Sequence, residues 1–295
     1  MTGRHRHPRQ HRRLITILVL TGSAAILAVS AAPAVHATPA TRHAARQAPV
    51  VFRWRTCRPR ALLADTTPPG YRLDNDVFDG YQGQYCLTGR TDRSFQIMDN
   101  ARPDGGKVVA YPKVYVGQNY NAADPWSFLP LKATSLGPLS LRVESSGHAP
   151  GQWTSDVDSW LWNTSSTTGH GAYEIVIITR QSGQPRRIGH LIRIGGRDWW
   201  YDPWITTQTY LMNGRWITRS WPLIWFEAAA NTSRTVTVDL PGFVRHAITT
   251  GWLPKRAWLG QIGYGSEIWS GGKNLRDAMS VHYYAVVLPP GGGAR

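Results

Sequence analysis

Negative charge is scarce in this 295-residue chain: 18 Asp and Glu stand against 33 Lys and Arg, for a formal net charge of +15. Glutamate occurs only at Glu144, Glu174, Glu227 and Glu267, so a glutamate inside an apolar run cannot be put down to composition. Catalytic signatures are also missing. There is no His-Glu-x-x-His, no Cys-x-x-Cys, no Walker loop and no Gly-x-Ser-x-Gly elbow, which leaves zinc, thiol-redox, nucleotide and serine-elbow chemistry without a motif. His170, His190, His246 and His282 are dispersed, without ligand spacing, and read as surface or turn residues. No metal and no organic cofactor are expected. The Lys and Arg residues form no stripe or known module, so the basic charge does not point to nucleic acid.

The one long apolar run, Leu14 to Val35, follows the basic segment MTGRHRHPRQHRR and precedes the small-residue site Val35-His36-Ala37. That pattern reads as a secretory signal peptide over residues 1–37; an uncleaved membrane anchor is the alternative, weakened by the Gly, Ser, Ala and Pro33 in the run. Arg12-Arg13 leaves a twin-arginine route open. Removing the five arginines takes the formal charge from +15 to +10, which suits a secreted protein that adheres to acidic cell-wall polymers. It implies no stable membrane association after cleavage, and a monomer is the default expectation. Residues 38–50, TPATRHAARQAPV, read as a linker, 51–288 as one domain and 289–295 as a flexible tail. Two cysteines, Cys57 and Cys86, would pair in an oxidising compartment; two free thiols are the alternative.

Within the domain, segments such as LSLRVESS, DVDSWLWN, YEIVIITR, SRTVTVDL and MSVHYYAVVL are rich in β-branched and aromatic residues and read as strands. Gly195-Gly196 and Asn213-Gly214 are two-residue hairpin signals. Helical spacing occurs once: after Asp239 as N-cap, PGFVRHAITTGW puts Phe243, Val244, Ala247 and Ile248 on one face. Many strands and one helix predict an all-β fold, a jelly-roll sandwich. The fourteen tryptophans include the pairs Trp160/Trp162, Trp199/Trp200 and Trp221/Trp225. In a cleft such rings stack on sugar faces; ordinary packing is the other reading.

Carboxylates carry the remaining chemistry. Alternation puts Ala172, Glu174, Val176 and Ile178 on one strand face, where a bare carboxylate needs water or partners. Glu267, in LGQIGYGSEIWSGG, shares a face with Trp269 and stands among glycines that admit a bulky ligand. Asp158, in DVDSWLWN, shares the face of Trp160 and Trp162. Two strand-borne carboxylates about 5–5.5 Å apart are what retaining glycoside hydrolysis needs; edge-strand acids facing solvent are the alternative.

These residues resemble glycoside hydrolase family 12, endoglucanases and xyloglucanases with a jelly-roll fold. GAYEIVII is similar to the family's Tyr-Glu-[Ile/Leu]-Met-Ile-Trp nucleophile strand, GSEIWSG to its Gly-Thr-Glu-Pro-Phe-x-Gly acid/base segment, and DVDSWLW to its Ala-Tyr-Asp-x-[Phe/Trp] strand. GYRLDNDVFDGYQGQYC and GKVVAYPKV resemble two further family segments, and Cys57 fits the partner of Cys86. The resemblance implies a nucleophile at Glu174, an acid/base at Glu267 and a hydrogen bond from Asp158 to the nucleophile. It implies substrate contacts at Asn75, Phe78, Tyr111, Trp160 and Trp269. Val176 and Ile178 replace the family's Met and Trp, and Phe78 with Asp79 replaces Trp-Gly, so substrate contacts near the scissile sugar differ. The implied activity is retaining endo-β-1,4-glucanase action on cellulose, mixed-linkage glucan or xyloglucan, with a β-linked polysaccharide as partner. A carbohydrate-binding protein of the same fold and a transglycosylase using the same pair are the other readings.

Overall fold

The computed structural model describes residues 52–58, 61–64, 70–77, 84–90, 94–100, 108, 110–118, 127–147, 151–167, 169–182, 189–212, 215–271 and 275–288. The expected signal peptide, linker and tail, together with Phe78 and the Asn213-Gly214 turn, lie outside the described residues. In chain order the strands are β1 (Phe52–Thr56), β2 (Ala61–Ala64), β3 (Arg72–Asn75), β4 (Gln84–Arg90), β5 (Phe95–Asn100), β6 (Lys113–Gly117), β7 (Leu131–Lys132), β8 (Ser140–Gly147), β9 (Gly151–Trp162), β10 (Tyr173–Ser182), β11 (His190–Ile194), β12 (Arg197–Met212), β13 (Arg215–Ala228), β14 (Thr235–Val238), β15 (Trp258–Leu259), β16 (Gln261–Gly265), β17 (Ile268–Gly271) and β18 (Leu275–Val287); one helix, α1, covers Leu240–Thr249.

They form two sheets, as the jelly-roll expectation requires. The smaller runs β1-β4-β5-β18-β8-β14; the larger runs β11-β12-β13-β10-β9-β16-β6-β3-β2, with β15 and β17 pairing β9 and β7 pairing β15. Pairing is antiparallel except between β10 and β13. Alternation sends Val157 and Leu161 of β9, Ile175 and Ile177 of β10, and Ile224 and Phe226 of β13 into one core with Leu87, Ile97, Leu141 and Val143 of the smaller sheet. Helix α1 buries Phe243, Val244 and Ala247, and Phe243 meets Trp199 and Phe226 edge-on with ring centroids 4.8 and 5.0 Å apart. The face predicted for the helix is therefore the one it buries, with Ile248 partly exposed at its edge.

Of the local expectations, the glycine turn and the disulfide are met and the helix cap differs in detail. Gly195 and Gly196 hold φ of 58° and 76°, the left-handed pair that a two-residue type I′ turn demands, and join β11 to β12 as expected. Asp239 stands at the N-cap, but its side chain makes no capping bond; its Oδ2 instead lies 3.8 Å from the Arg245 guanidinium, one turn into the helix. Cys57 and Cys86 form a disulfide across 29 residues, which excludes the free-thiol reading. It ties the segment after β1 to β4.

A closed loop of this length contributes roughly 3–4 kcal/mol in the chain-entropy treatment. The Cys57→Ser/Cys86→Ser protein is expected to lose about that much unfolding free energy in urea titration.

Candidate active site

On the face of the larger sheet turned away from the core, β9 presents Thr154, Asp156, Asp158, Trp160 and Trp162 in alternation. Glu174 of β10 is paired with Trp160, and Val176 with Asp158. Asp158 is thus the diagonal neighbour of Glu174, a separation of about 7–8 Å between backbone positions that lets side chains interact. Glu174 is partly exposed, whereas Asp156 and Asp158 are buried at 0% and 3% exposure. Val176 and Ile178 share its face yet are also buried, so the wet face expected around Glu174 is confined to the glutamate itself.

The partners of Glu174 and Asp158 are indoles and one lysine. Trp221 Nε1 donates to Glu174 Oε2 at 2.7 Å, and Trp160 Nε1 donates to Asp158 Oδ2 at 3.2 Å. Lys113 Nζ, from β6, sits 3.6 Å from Asp158 Oδ2 and 3.5 Å from Asp76 Oδ2, with 2% of its side chain exposed. Asp158 Oδ1 has no hydrogen-bond partner, so the bond expected from Asp158 to Glu174 is not made. Asp158 acts on Glu174 through its charge. Burial first, and then the negative charge of Asp158, push the Glu174 carboxyl up to about 8, against the Trp221 hydrogen bond and the Lys113 charge. Burial likewise raises Asp158, with Lys113 opposing, and lifts Asp156 to about 7, with hydrogen bonds from Thr154 and Tyr111 and the Glu267 backbone N–H opposing.

Glu267 stands elsewhere on the same face. The Thr154 N–H donates to the Glu267 carbonyl at 2.9 Å, which puts Glu267 opposite Thr154, six residues along β9 from the Trp160 that faces Glu174. At about 3.3 Å per residue this is roughly 20 Å along the strand. The structure therefore brings together Glu174, Asp158 and Trp160, and it groups Glu267 with Tyr111 and Asp156. Tyr111 is buried, its hydroxyl donates to the Asp156 carbonyl at 3.4 Å, and burial, followed by the charges of Asp156 and Asp158, raises it well above 10.0. Trp269 lies in β17 beyond Glu267.

Asn75, expected as a substrate contact, is a correction. It alternates with Asp74, which shares the face of Lys113, so its side chain leaves by the other face. It is wholly buried and its Nδ2 donates to the Arg58 carbonyl at 3.1 Å. The glycines of β16 are a second correction. Gly263 and Gly265 line the site face, but the space they leave is taken by Lys113: a Cβ on Gly265 would come within 2.8 Å of Lys113 Cβ and 2.5 Å of the Pro112 carbonyl. His170 is a third. Far from a plain turn residue, it sits half-buried against Trp160 and Trp221, with ring centroids 4.6 and 4.9 Å away, and burial lowers its pKa.

Lys113, Trp221 and Asp156 were not singled out as site residues. Two signals were available: Lys113 alternates with Tyr115 on β6 and with Tyr111 just before it, and Asp156 stands two residues before Asp158. No family model matches the sequence, and no curated protein aligns with it. Solved structures do match. A metagenome-derived glycoside hydrolase family 12 endoglucanase superposes with a TM-score of 0.66 at 21% identity, over 80% of this chain and 97% of its own. The chain has the glycoside hydrolase family 12 fold. An endoglucanase from Rhodothermus marinus matches with a TM-score of 0.65 at 22% identity, covering 80% and 99% of the two chains. A family 12 xyloglucanase from Bacillus licheniformis matches at 0.66 and 18%, covering 80% and 100%. In this family 12 fold the indole–carboxylate cluster occupies β9, β10 and β13, at the middle of the larger sheet.

The raised carboxyls fix a pH dependence of stability. Glu174 titrates from a usual 4.5 up to about 8, and Asp156 from 3.8 up to about 7. The folded state therefore holds protons that the unfolded chain has released, so stability is full below the unfolded values and declines as pH rises through the folded ones. Urea unfolding is expected to show a lower free energy at about pH 8.5 than at about pH 5, with a shallower decline in Glu174→Gln.

Proposed function

We propose that this protein is a secreted glycoside hydrolase acting on β-linked glucan chains, with Glu174 as the attacking carboxylate. The observation that carries the reading is the setting of Glu174: a partly exposed glutamate, hydrogen-bonded by Trp221 and flanked by Trp160, on a fold that endoglucanases and xyloglucanases share. An indole N–H on one carboxylate oxygen leaves the other to attack an anomeric carbon. The Trp160 and Trp221 rings are themselves buried, packed on each other and on His170, so Trp160, expected as a substrate contact, holds the site together rather than offering a stacking face. One structure of this fold, the xyloglucanase domain of a type three effector from Sinorhizobium fredii, holds cellobiose; it matches with a TM-score of 0.60 at 16% identity.

Retaining double displacement adds Glu267 as the acid that protonates the leaving oxygen and then activates water. The family-like GSEIWSG segment supports that role. The register of β16 favours a second reading, a glucan-binding protein of the same fold that does not turn over, because it sets the Glu267 backbone six residues along β9 from the level of Glu174, whereas the two carboxyls of a retaining pair stand about 5–5.5 Å apart. The two readings differ in what the acid contributes. In the hydrolase, loss of the nucleophile and loss of the acid/base each remove cleavage. In the binding protein, neither change alters retention on glucan.

Reducing-sugar release on carboxymethylcellulose, barley β-glucan and xyloglucan is the deciding measurement. The mature protein is expected to release sugar from at least one, and Glu174→Ala and Glu267→Ala are each expected to lose at least about a hundredfold, the scale of a missing general acid–base or nucleophile. Azide should restore turnover to Glu174→Ala with inversion at the anomeric carbon. A wild type that releases nothing, yet is retarded on immobilised glucan, establishes the binding protein instead.

A further inference from the structure

Lys113 is a buried cation whose position has to be explained. It belongs to β6, Asp158 belongs to β9, and β16 lies between them. A side chain on the site face of β16 would block the path. At that point β16 carries Gly263, paired with Tyr115 on one side and Asp158 on the other, and Gly265, paired with Lys113 and Asp156. A Cβ on Gly263 would lie 3.6 Å from Lys113 Cδ. The lysine stem thus crosses β16 through a glycine trough and delivers its ammonium to Asp158 and Asp76, 4.9 Å from the centre of the Tyr111 ring.

Resting on the hydrolase reading of this site, we propose that Lys113 is its positioning residue: the ammonium, carried through the trough, pins Asp158 and supplies a positive field that favours the anionic, attacking form of Glu174 over its protonated one. The groups that act on this field come from every neighbouring strand. From β9, Asp158 and Asp156 oppose ionisation of Glu174. From β13, Glu227 is paired with Ile178, its carboxylate taken by Gln181 Nε2 at 2.7 Å, and Arg219 stands on the same alternation as Trp221. From β12, Asp202 faces Trp225. His170 packs on the Trp221 ring from the β9–β10 connection. Around the ammonium itself stand Asp74, paired with Lys113 across β3, Asp76, Tyr111, Tyr115 and, beyond Gly265, Glu267. Lys113 is the cation among the leading influences on Glu174, and it favours the anion.

Only four glutamates exist in the chain, so side-chain carboxyl 13C resonances of glutamate-labelled protein can be followed one by one, without turnover. Glu174→Gln assigns its own signal. Titration of wild type and Lys113→Met is expected to move the Glu174 midpoint to higher pH in the variant, and the acid limb of kcat/KM to follow it. A Glu174 midpoint that stays in place in folded Lys113→Met overturns the proposal and leaves the lysine a structural ion-pair member. If Lys113→Met does not fold, Asp158→Asn and Lys113→Met/Asp158→Asn put the same question in a charge-balanced background: a higher midpoint in the double variant supports the role, and an equal one overturns it. Absence of sugar release by the wild type is a separate result. It removes the hydrolase reading while the titration still reports on the field.

Discussion

A carboxylate buried in a sheet face must be given partners, because an unpaired buried charge is far less stable than a solvated one. The organisation of this site follows from that constraint. Asp156 and Asp158 lie beneath the surface while Glu174 reaches it, and each is served differently: Asp156 by a hydroxyl and by the Glu267 backbone N–H, Asp158 by an indole and the Lys113 ammonium, Glu174 by an indole alone. The tryptophans are therefore not simply apolar walls. Two of them spend their N–H groups on carboxylates, which fixes ring and acid together, while the rings pack on each other and on His170.

Much of this was legible in the sequence. β-branched runs with Gly boundaries pointed to the strands, one amphipathic stretch to the helix, and two cysteines behind a signal-peptide-like segment to the disulfide. Alternation alone put Glu174 and Asp158 each on a definite face, and that placement holds. What alternation does not give is the relation between strands. Asn75 and Asp74 are one residue apart and leave by opposite faces, and only the pairing of β3 with β6 tells which face is the site. The reach of Lys113 depends on three strands lying in one order with glycines on the middle one, a non-local coincidence that no window of sequence displays. Asp239 shows the same limit on a smaller scale, since a residue suited to capping turned to a basic partner on the next turn.

Electrostatics divides the four acids into two kinds. Asp158 and Asp156 set the field, being buried and held by hydrogen bonds or ion pairing. Glu174 and Glu267 are partly exposed and are the ones a ligand can meet. The ionisation of Glu174 is thus a balance of burial and the Asp158 charge against the Trp221 hydrogen bond and the Lys113 charge rather than a property of the glutamate alone.

The register of β16 then decides how far the site can serve catalysis by a carboxylate pair. Glycine-rich strands define register weakly through side-chain packing, since they have few side chains to pack. Here the glycines define it by exclusion. A Cβ at Gly260 would come within 2.6 Å of the Trp162 ring, and one at Gly265 within 2.5 Å of the Pro112 carbonyl. Sliding β16 by four residues, which would bring Glu267 opposite Asp158, would put Tyr264 in the place of Gly260, against Trp162, and Trp269 in the place of Gly265, beside Lys113. Neither place admits a side chain. Ile262 and Tyr264 on the core side would leave their pockets in the same step, and the Tyr264 hydroxyl would lose its 2.8 Å hydrogen bond to Ser145. The backbone offset of the two glutamates is thus built into β16 as the lysine crossing is, with Gly265 common to both, Gly260 holding the register and Gly263 lining the path of the lysine.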